Sequence, residues 1–145
     1  MKLPHDTIVL IADGARMLLL RNHGDTVYPD LRVIEHRHCE SLANRDLLSD
    51  APGVSSGGGF PGSSTLAKTD PHSAEESRFL ASAADALGQI AKRENGGIVV
   101  AASPVALGEL RRAYTPATKD KLIAEIDKDY TRMPVEEITR QLAEL

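Results

Sequence analysis

Residues 7–14 read TIVLIADG, an unbroken apolar run that ends in Asp13-Gly14. A continuous apolar run that contains β-branched residues is typical of a strand buried on both faces of its sheet. Asp-Gly is a strong hairpin signal, and residues 15–21 (ARMLLLR) are the predicted returning strand. We therefore expect a buried strand paired with an antiparallel neighbour.

The segments that follow predict a mixed sheet covered by helices. Residues 31–38 (LRVIEHRH) alternate between apolar and polar side chains, which is typical of a half-exposed third strand. Residues 98–102 (IVVAA) predict a central strand parallel to the first, and residues 122–127 fit an edge strand or a helix. Helices are predicted to begin at Ser73, at Ser103-Pro104 and within residues 131–134. The order β-β-β-loop-α-β-α-β-α indicates an α/β sandwich with a mixed sheet.

The first predicted helix has the clearest start signal. Ser73 and Glu76 have the spacing of a capping box, in which the serine is the N-cap. Apolar residues recur at helical spacing as far as Ala91, and Asn95-Gly96-Gly97 ends the run.

The bulk composition predicts one cytoplasmic domain that spans residues 1–145. A net charge of −4 argues against a surface that neutralises DNA phosphates, and 3% aromatic residues argue against a stacking platform for single strands. The single cysteine fits a reducing compartment. Neither a signal peptide nor an apolar run long enough to span a membrane is recognisable, so we expect no membrane insertion.

Residues 40–72 form a long predicted loop without periodicity, and they include Gly57, Gly58 and Gly59. Such loops are usually functional or disordered. The glycines are followed by neither the Lys-Ser/Thr of a P-loop nor a dinucleotide fingerprint. Because glycine-rich, uncharged chain buries too little apolar surface to offset its ordering entropy, we expect residues 55–64 to be mobile until a partner binds.

Two histidines on the third strand are the candidate metal ligands. His36 and His38 lie on one face of a strand, and a third ligand would have to come from His72 or Asp70. The same alternation is typical of a solvated strand face, which is the favoured interpretation because spacing alone is weak evidence.

Asp13 has two interpretations. It could be a metal-binding carboxylate of a nuclease, with an acidic partner such as Asp85 or Asp129. A carboxylate beside glycine is far more often a turn residue, and we favour the turn. Cys39 is interpreted as an inert thiol, because no base is recognisable for it.

Four stretches together resemble a known family. Residues 8–16 (IVLIADGAR), 45–53 (RDLLSDAPG), 107–111 (LGELR) and 127–131 (DKDYT) resemble the host attachment family of small proteobacterial proteins, across nearly the whole chain. That family is named for a proposed requirement in bacterial attachment to host cells. The order of elements also resembles the middle domain of archaeo-eukaryotic peptide-chain release factors, which implies a similar, ribonuclease-H-like fold.

In those release factors, a loop bearing Gly-Gly-Gln precedes a long helix. The corresponding loop here contains three glycines without the glutamine that positions the hydrolytic water, so the resemblance implies a non-catalytic protein that needs no cofactor. It implies binding to the ribosome or a tRNA and not to DNA. The implied binding residues are Gly57, Gly58, Gly59, Asp13, Arg45 and Arg111. An attachment factor, acting indirectly or at the cell surface, and a metal-dependent hydrolase or nuclease are the alternatives.

Overall fold

The computed structural model describes residues 1–39 and 71–145, with side chains described from residue 74 onward in the second range. The strands are β1 (Ile8–Ala12), β2 (Arg16–Asn22), β3 (Leu31–His38), β4 (Ile98–Ala102) and β5 (Leu122–Ile126). The helices of these ranges are α1 (Pro71–Arg93), α2 (Pro104–Ala113), α3 (Pro116–Lys121) and α4 (Val135–Glu144). The predicted α/β sandwich with a mixed sheet is confirmed.

The five strands form one sheet in the order β3-β2-β1-β4-β5. β1 pairs antiparallel with β2 and parallel with β4, and β3 and β5 extend the sheet on the two sides. The central, parallel placement predicted for residues 98–102 is confirmed. Residues 122–126 are the edge strand β5, so the strand interpretation was the right one there.

Helices cover both faces of the sheet, which explains why β1 is apolar throughout. Ile8, Leu10 and Ala12 face a core cluster that contains buried residues of α1 and α2. Val9 and Ile11 face the opposite cluster, which contains Ile138 and Leu142 of α4. Each fully buried Leu or Ile contributes roughly 1.5–3 kcal/mol to the free energy of folding. The two clusters therefore stabilise the central strands from both faces of the sheet.

The helices differ from the sequence predictions in two places, the start of α1 and the additional short helix α3. α1 begins at Pro71, so Ser73 lies inside the helix and is not its N-cap. Proline is favourable in the first helical turn because its φ angle is already helical and its missing N–H is not needed there. The predicted start of α2 is confirmed, since Ser103 is the N-cap and accepts from the Ala106 N–H. The short helix α3 was not predicted, although Thr115 and Pro116 supply the same kind of start.

Within the part of the chain that the structure describes, no helix is long and apolar enough to span a membrane. The stretch predicted to be mobile, residues 55–64, lies outside the described residues.

Candidate functional site

The turn between β1 and β2 is built around the carboxylate of Asp13. Its Oδ1 atom accepts hydrogen bonds from the backbone N–H groups of Ala15 at 2.8 Å and Arg16 at 2.7 Å. The backbone N–H of Asp13 donates to the carbonyl of Arg16 at 2.9 Å. An aspartate that accepts from N–H groups two and three residues onward is a common turn-forming arrangement. The interpretation of Asp13 as a turn residue is confirmed.

The second carboxylate oxygen of Asp13 faces the loop that follows β5. The Thr131 hydroxyl lies 3.1 Å from Asp13 Oδ2 and is also within hydrogen-bond distance of Asp129. A hydroxyl has one hydrogen to donate, so it donates to one of these carboxylates and keeps its lone pairs as acceptors. The structure thus brings Asp13 and Asp129 together at Thr131, whereas Asp85 is exposed on α1.

The pairing of β2 with β3 places Arg16 beside the two candidate histidines. Arg16 is opposite His38 and Leu18 is opposite His36, so all four side chains lie on one face of the sheet. The partly buried Leu18 packs against the cluster that contains α4, which identifies this face as the α4 side. The two imidazole ring centres are 5.8 Å apart.

A cavity of about 330 Å³ opens at this corner of the sheet. We call it the corner cavity, and it is lined by Arg16, Met17, Leu18, His36, His38 and Thr131. Its volume is at the lower end of the range typical of small-ligand sites, roughly 300–1,000 Å³. The lining combines an apolar floor with a few polar groups, which is the usual composition of a ligand pocket.

Arg16 is the charged residue of the corner cavity. Its Nη1 atom is buried and has no hydrogen-bond partner among the described residues. The nearest carboxylate oxygen, Asp13 Oδ2, is 3.8 Å away, which is an ion-pair distance and too long for a hydrogen bond. A buried guanidinium nitrogen without an acceptor is costly, and a bound anion or water is one explanation of such a group.

The described chain on either side of residues 40–70 approaches this same turn. The backbone N–H of Cys39, just after β3, donates to the carbonyl of Ala15 at 2.8 Å. In the first turns of α1, Glu76 lies so close to Gly14 that a Cβ atom on the glycine would be 3.0 Å from the Glu76 carboxyl carbon. Described residues on both sides of segment 40–70 therefore contact the Asp13 turn. The predicted binding residues Gly57, Gly58, Gly59 and Arg45 belong to that segment and lie outside the described residues.

The two histidines lie together as predicted, but their proposed third metal ligand is not tested. Asp70 and the side chain of His72 lie outside the described part of the chain. Among the described residues, no group of three or more His, Cys, Asp or Glu side chains could hold a metal ion. The Arg16 guanidinium beside the imidazoles would also repel a cation.

Arg111, another predicted binding residue, lies at the opposite edge of the sheet. Its Nε donates to both carboxylate oxygens of Glu125 on β5, at 3.0 and 3.1 Å, and the Tyr114 hydroxyl donates to the same carboxylate at 2.9 Å. β5 is three strands from β2, or roughly 14 Å at about 4.8 Å per strand. The structure therefore does not bring Arg111 to the corner cavity.

The carboxylate that holds Arg111 has a shifted pKa. Burial raises the pKa of Glu125, but the hydrogen bonds from Arg111 and Tyr114 outweigh burial and hold it below its ordinary value. Burial and the bond to Glu125 raise the pKa of the Tyr114 phenol. Arg111 and Glu125 are thus a charged, hydrogen-bonded pair at neutral pH, which is typical of an interaction that stabilises the packing of α2 against β5.

Sequence reasoning did not single out Arg16 and Thr131 as site residues. Both lie at the ends of stretches that resemble the host attachment family, residues 8–16 and 127–131. Arg16 is also three residues after Asp13, the spacing at which the turn brings its N–H to the carboxylate. Neither signal indicates that Thr131 approaches Asp13, because that contact depends on the parallel arrangement of β1, β4 and β5.

The comparison with known families agrees with this architecture. The model of bacterial archaeo-eukaryotic release factor family 12 matches residues 6–142, nearly the whole chain. The chain belongs to this family, which confirms the release-factor part of the resemblance seen in the sequence. No curated protein matches the chain.

Proposed function

We propose, from the release-factor-like family to which the chain belongs, that it is a binding protein of the translation machinery. In this proposal it contacts ribosomal RNA or tRNA at the edge of the sheet formed by the Asp13 turn, the corner cavity and the glycine-rich segment. Gly57, Gly58 and Gly59 supply backbone N–H groups without side chains, which allows close approach to an RNA backbone. The proposal is for binding and not for catalysis.

The observation that carries the proposal is the position of the described residues on either side of segment 40–70. Cys39 and Glu76 both lie against the Asp13–Arg16 turn, beside the corner cavity. The Nη1 atom of Arg16, which is buried and has no hydrogen-bond partner among the described residues, supports a negatively charged ligand at the same place. Arginine is well suited to phosphate because its planar donors match two phosphate oxygens.

The position in the sheet also supports the proposal. In open α/β sheets, ligands bind beyond the carboxyl ends of the parallel strands. β1, β4 and β5 are parallel, and the loops after β1 and β5 meet through Asp13 and Thr131 at that edge. The opposite end of the sheet carries the β2–β3 hairpin, in which Tyr28 is 77% exposed.

Ribosome co-sedimentation tests this function. We expect the intact protein to pellet with ribosomes at moderate salt and to be released as salt rises, because phosphate contacts displace counterions. A deletion of residues 57–62 is expected to reduce the pelleted fraction strongly. Tyr28→Ser is the matched control, since it changes an exposed residue at the other end of the sheet. The proposal fails if the intact protein does not pellet, or if the deletion pellets equally well.

A role in attachment to host cells is a separate proposal that rests on the sequence resemblance. It takes either an indirect, regulatory form with the protein in the cytoplasm, or a direct form at the cell surface. Cell fractionation separates the two forms. Protein found only in the cytosol would exclude the direct form.

A further inference from the structure

The corner cavity contains a buried hydrogen-bond donor, Arg16 Nη1, that has no acceptor among the described residues. Arg16 and His38 are directly opposite on β2 and β3, and His36 is two residues from His38 on the same face. Directly opposite residues in an antiparallel pair have Cβ atoms about 4.5–5.5 Å apart, so three nitrogen-bearing side chains line one small space. Each imidazole has at least one ring N–H, and the guanidinium has five.

Charges of both signs surround the cavity. Arg16 lies on the same face of the sheet as His36 and His38, and its Nη1 atom is 3.8 Å from Asp13 Oδ2. An anion is favoured where it can accept from the guanidinium and the imidazoles, and disfavoured beside the carboxylates of Asp13 and Asp129. Because the Thr131 hydroxyl donates to a carboxylate, its lone pairs can accept a hydrogen bond from a neutral group of the ligand.

The Asp13 carboxylate does not neutralise this end of the cavity fully. Its Oδ1 atom accepts from the N–H groups of Ala15 and Arg16, and its Oδ2 atom is 3.8 Å from Arg16 Nη1, too far for a hydrogen bond. Arg16 Nη1 thus keeps its donor capacity although the atom is buried. A bound oxyanion would supply the missing acceptor and remove the cost of the unpaired group.

Donors on two strands favour a tetrahedral oxyanion, because its oxygens point in several directions. The volume of about 330 Å³ exceeds that of a bare ion and leaves room for an attached group beside the Thr131 acceptor. We propose that the corner cavity binds the phosphate of a phosphate ester, with Arg16 as the principal donor and His36 and His38 as supporting donors. The identity of the biological ester rests on the proposed function, but the phosphate chemistry is testable without ribosomes.

Titration of the full-length protein with inorganic phosphate tests the inference, with sodium chloride at matched ionic strength as the reference. Nitrogen-15 NMR of the imidazoles reports directly on His36 and His38. We expect phosphate to shift both ring signals and chloride to leave them unchanged. Arg16→Gln is expected to weaken phosphate binding by about tenfold or more, since a hydrogen bond to a charged group is lost.

Arg37→Gln is the matched control. Arg37 is on β3, the strand of His36 and His38, but it is opposite Met17 and so lies on the other face of the sheet. We therefore expect Arg37→Gln to leave the phosphate affinity unchanged. His36→Gln is a second test variant on the exposed edge strand, where substitution does not disturb the core. It is expected to weaken binding even if Arg16→Gln proves unstable. Absence of phosphate-specific shifts, or equal affinity in all three variants, would overturn the inference.

Two short oligoribonucleotides distinguish the source of the phosphate. A 5′-phosphorylated trinucleotide and its 5′-hydroxyl counterpart differ only in a terminal monoester. If only the first shifts the His36 signal, the cavity takes a terminal phosphate, and if both do, it takes a backbone diester. If phosphate binds but the protein does not pellet with ribosomes, the proposed function fails alone. If the protein pellets but phosphate does not bind, this inference fails alone.

Discussion

Replacing Asp13 separates its structural role in the turn from the effect of its charge. Asp13→Ala removes the acceptor for the N–H groups of Ala15 and Arg16, at 2.8 and 2.7 Å. At about 1 kcal/mol for each of these two hydrogen bonds, the free energy of unfolding should fall by about 2 kcal/mol. This is a large share of the 5–15 kcal/mol that stabilises a typical domain.

Asp13→Asn should behave differently. The amide oxygen of asparagine accepts the same two backbone hydrogen bonds, so the turn is kept and only the charge is lost. We expect a loss of about 1 kcal/mol or less from this substitution. Urea unfolding followed by circular dichroism measures both variants, and an unchanged m-value shows that the comparison is valid.

Asp25→Ala is the control for this reasoning. Asp25 Oδ1 accepts from the N–H groups of Val27 and Tyr28 at 2.9 and 2.8 Å, the same pattern in an exposed turn. Water replaces those bonds more readily, so the loss of stability should be smaller than for Asp13→Ala. The reasoning is refuted if Asp13→Ala unfolds within about 0.5 kcal/mol of the original protein, the usual range of neutral surface changes. It is also refuted if Asp13→Asn is as destabilising as Asp13→Ala.

Four further predictions concern the rest of the fold, two at helix glycines and two at the Glu125 cluster. Gly108→Ala should stabilise the protein by about 0.5–1 kcal/mol, because a Cβ there meets nothing within 4 Å and alanine favours helix. Gly88→Ala should destabilise it in the same thermal unfolding experiment, because the Cβ would lie 2.6 Å from the Cγ2 atom of Thr115, the N-cap of α3. The pKa of Glu125 is lowered in the folded state. Its contribution to the free energy of unfolding is therefore complete above the ordinary carboxyl pKa and is lost as pH falls through the lowered pKa. Tyr114→Phe should reduce the neutral-pH stability by about 1 kcal/mol, and Glu125→Gln should flatten the acid limb of a stability–pH curve.

Local patterns were sufficient to predict most of the elements. The apolar runs of β1 and β4 predicted central strands because a strand covered on both faces must be apolar on both. The Ser103 cap predicted the start of α2 because capping depends on residues a few positions apart. The exact start of α1 and the short helix α3 were missed, since several nearby residues can begin a helix and packing selects among them.

The candidate site could be predicted only in part. His36 and His38 were found because alternation places them on one strand face. Their neighbour Arg16 was not, because cross-strand partners depend on the register of β2 with β3, which includes an irregularity between Leu19 and Leu20. Arg111 was included through the family resemblance, but its guanidinium is bound to Glu125 at the other edge of the sheet.

The sequence by itself determined most of the elements, their order and the turn-forming role of Asp13, because those properties follow from neighbouring residues. Only the tertiary structure decided that Thr131 reaches Asp13 across 118 positions and that Arg16 joins His36 and His38 around one cavity. Those contacts arise where parallel strands end at a common edge and where one strand pairs with the next. They depend on the packing of the whole sheet, and no local pattern specifies them.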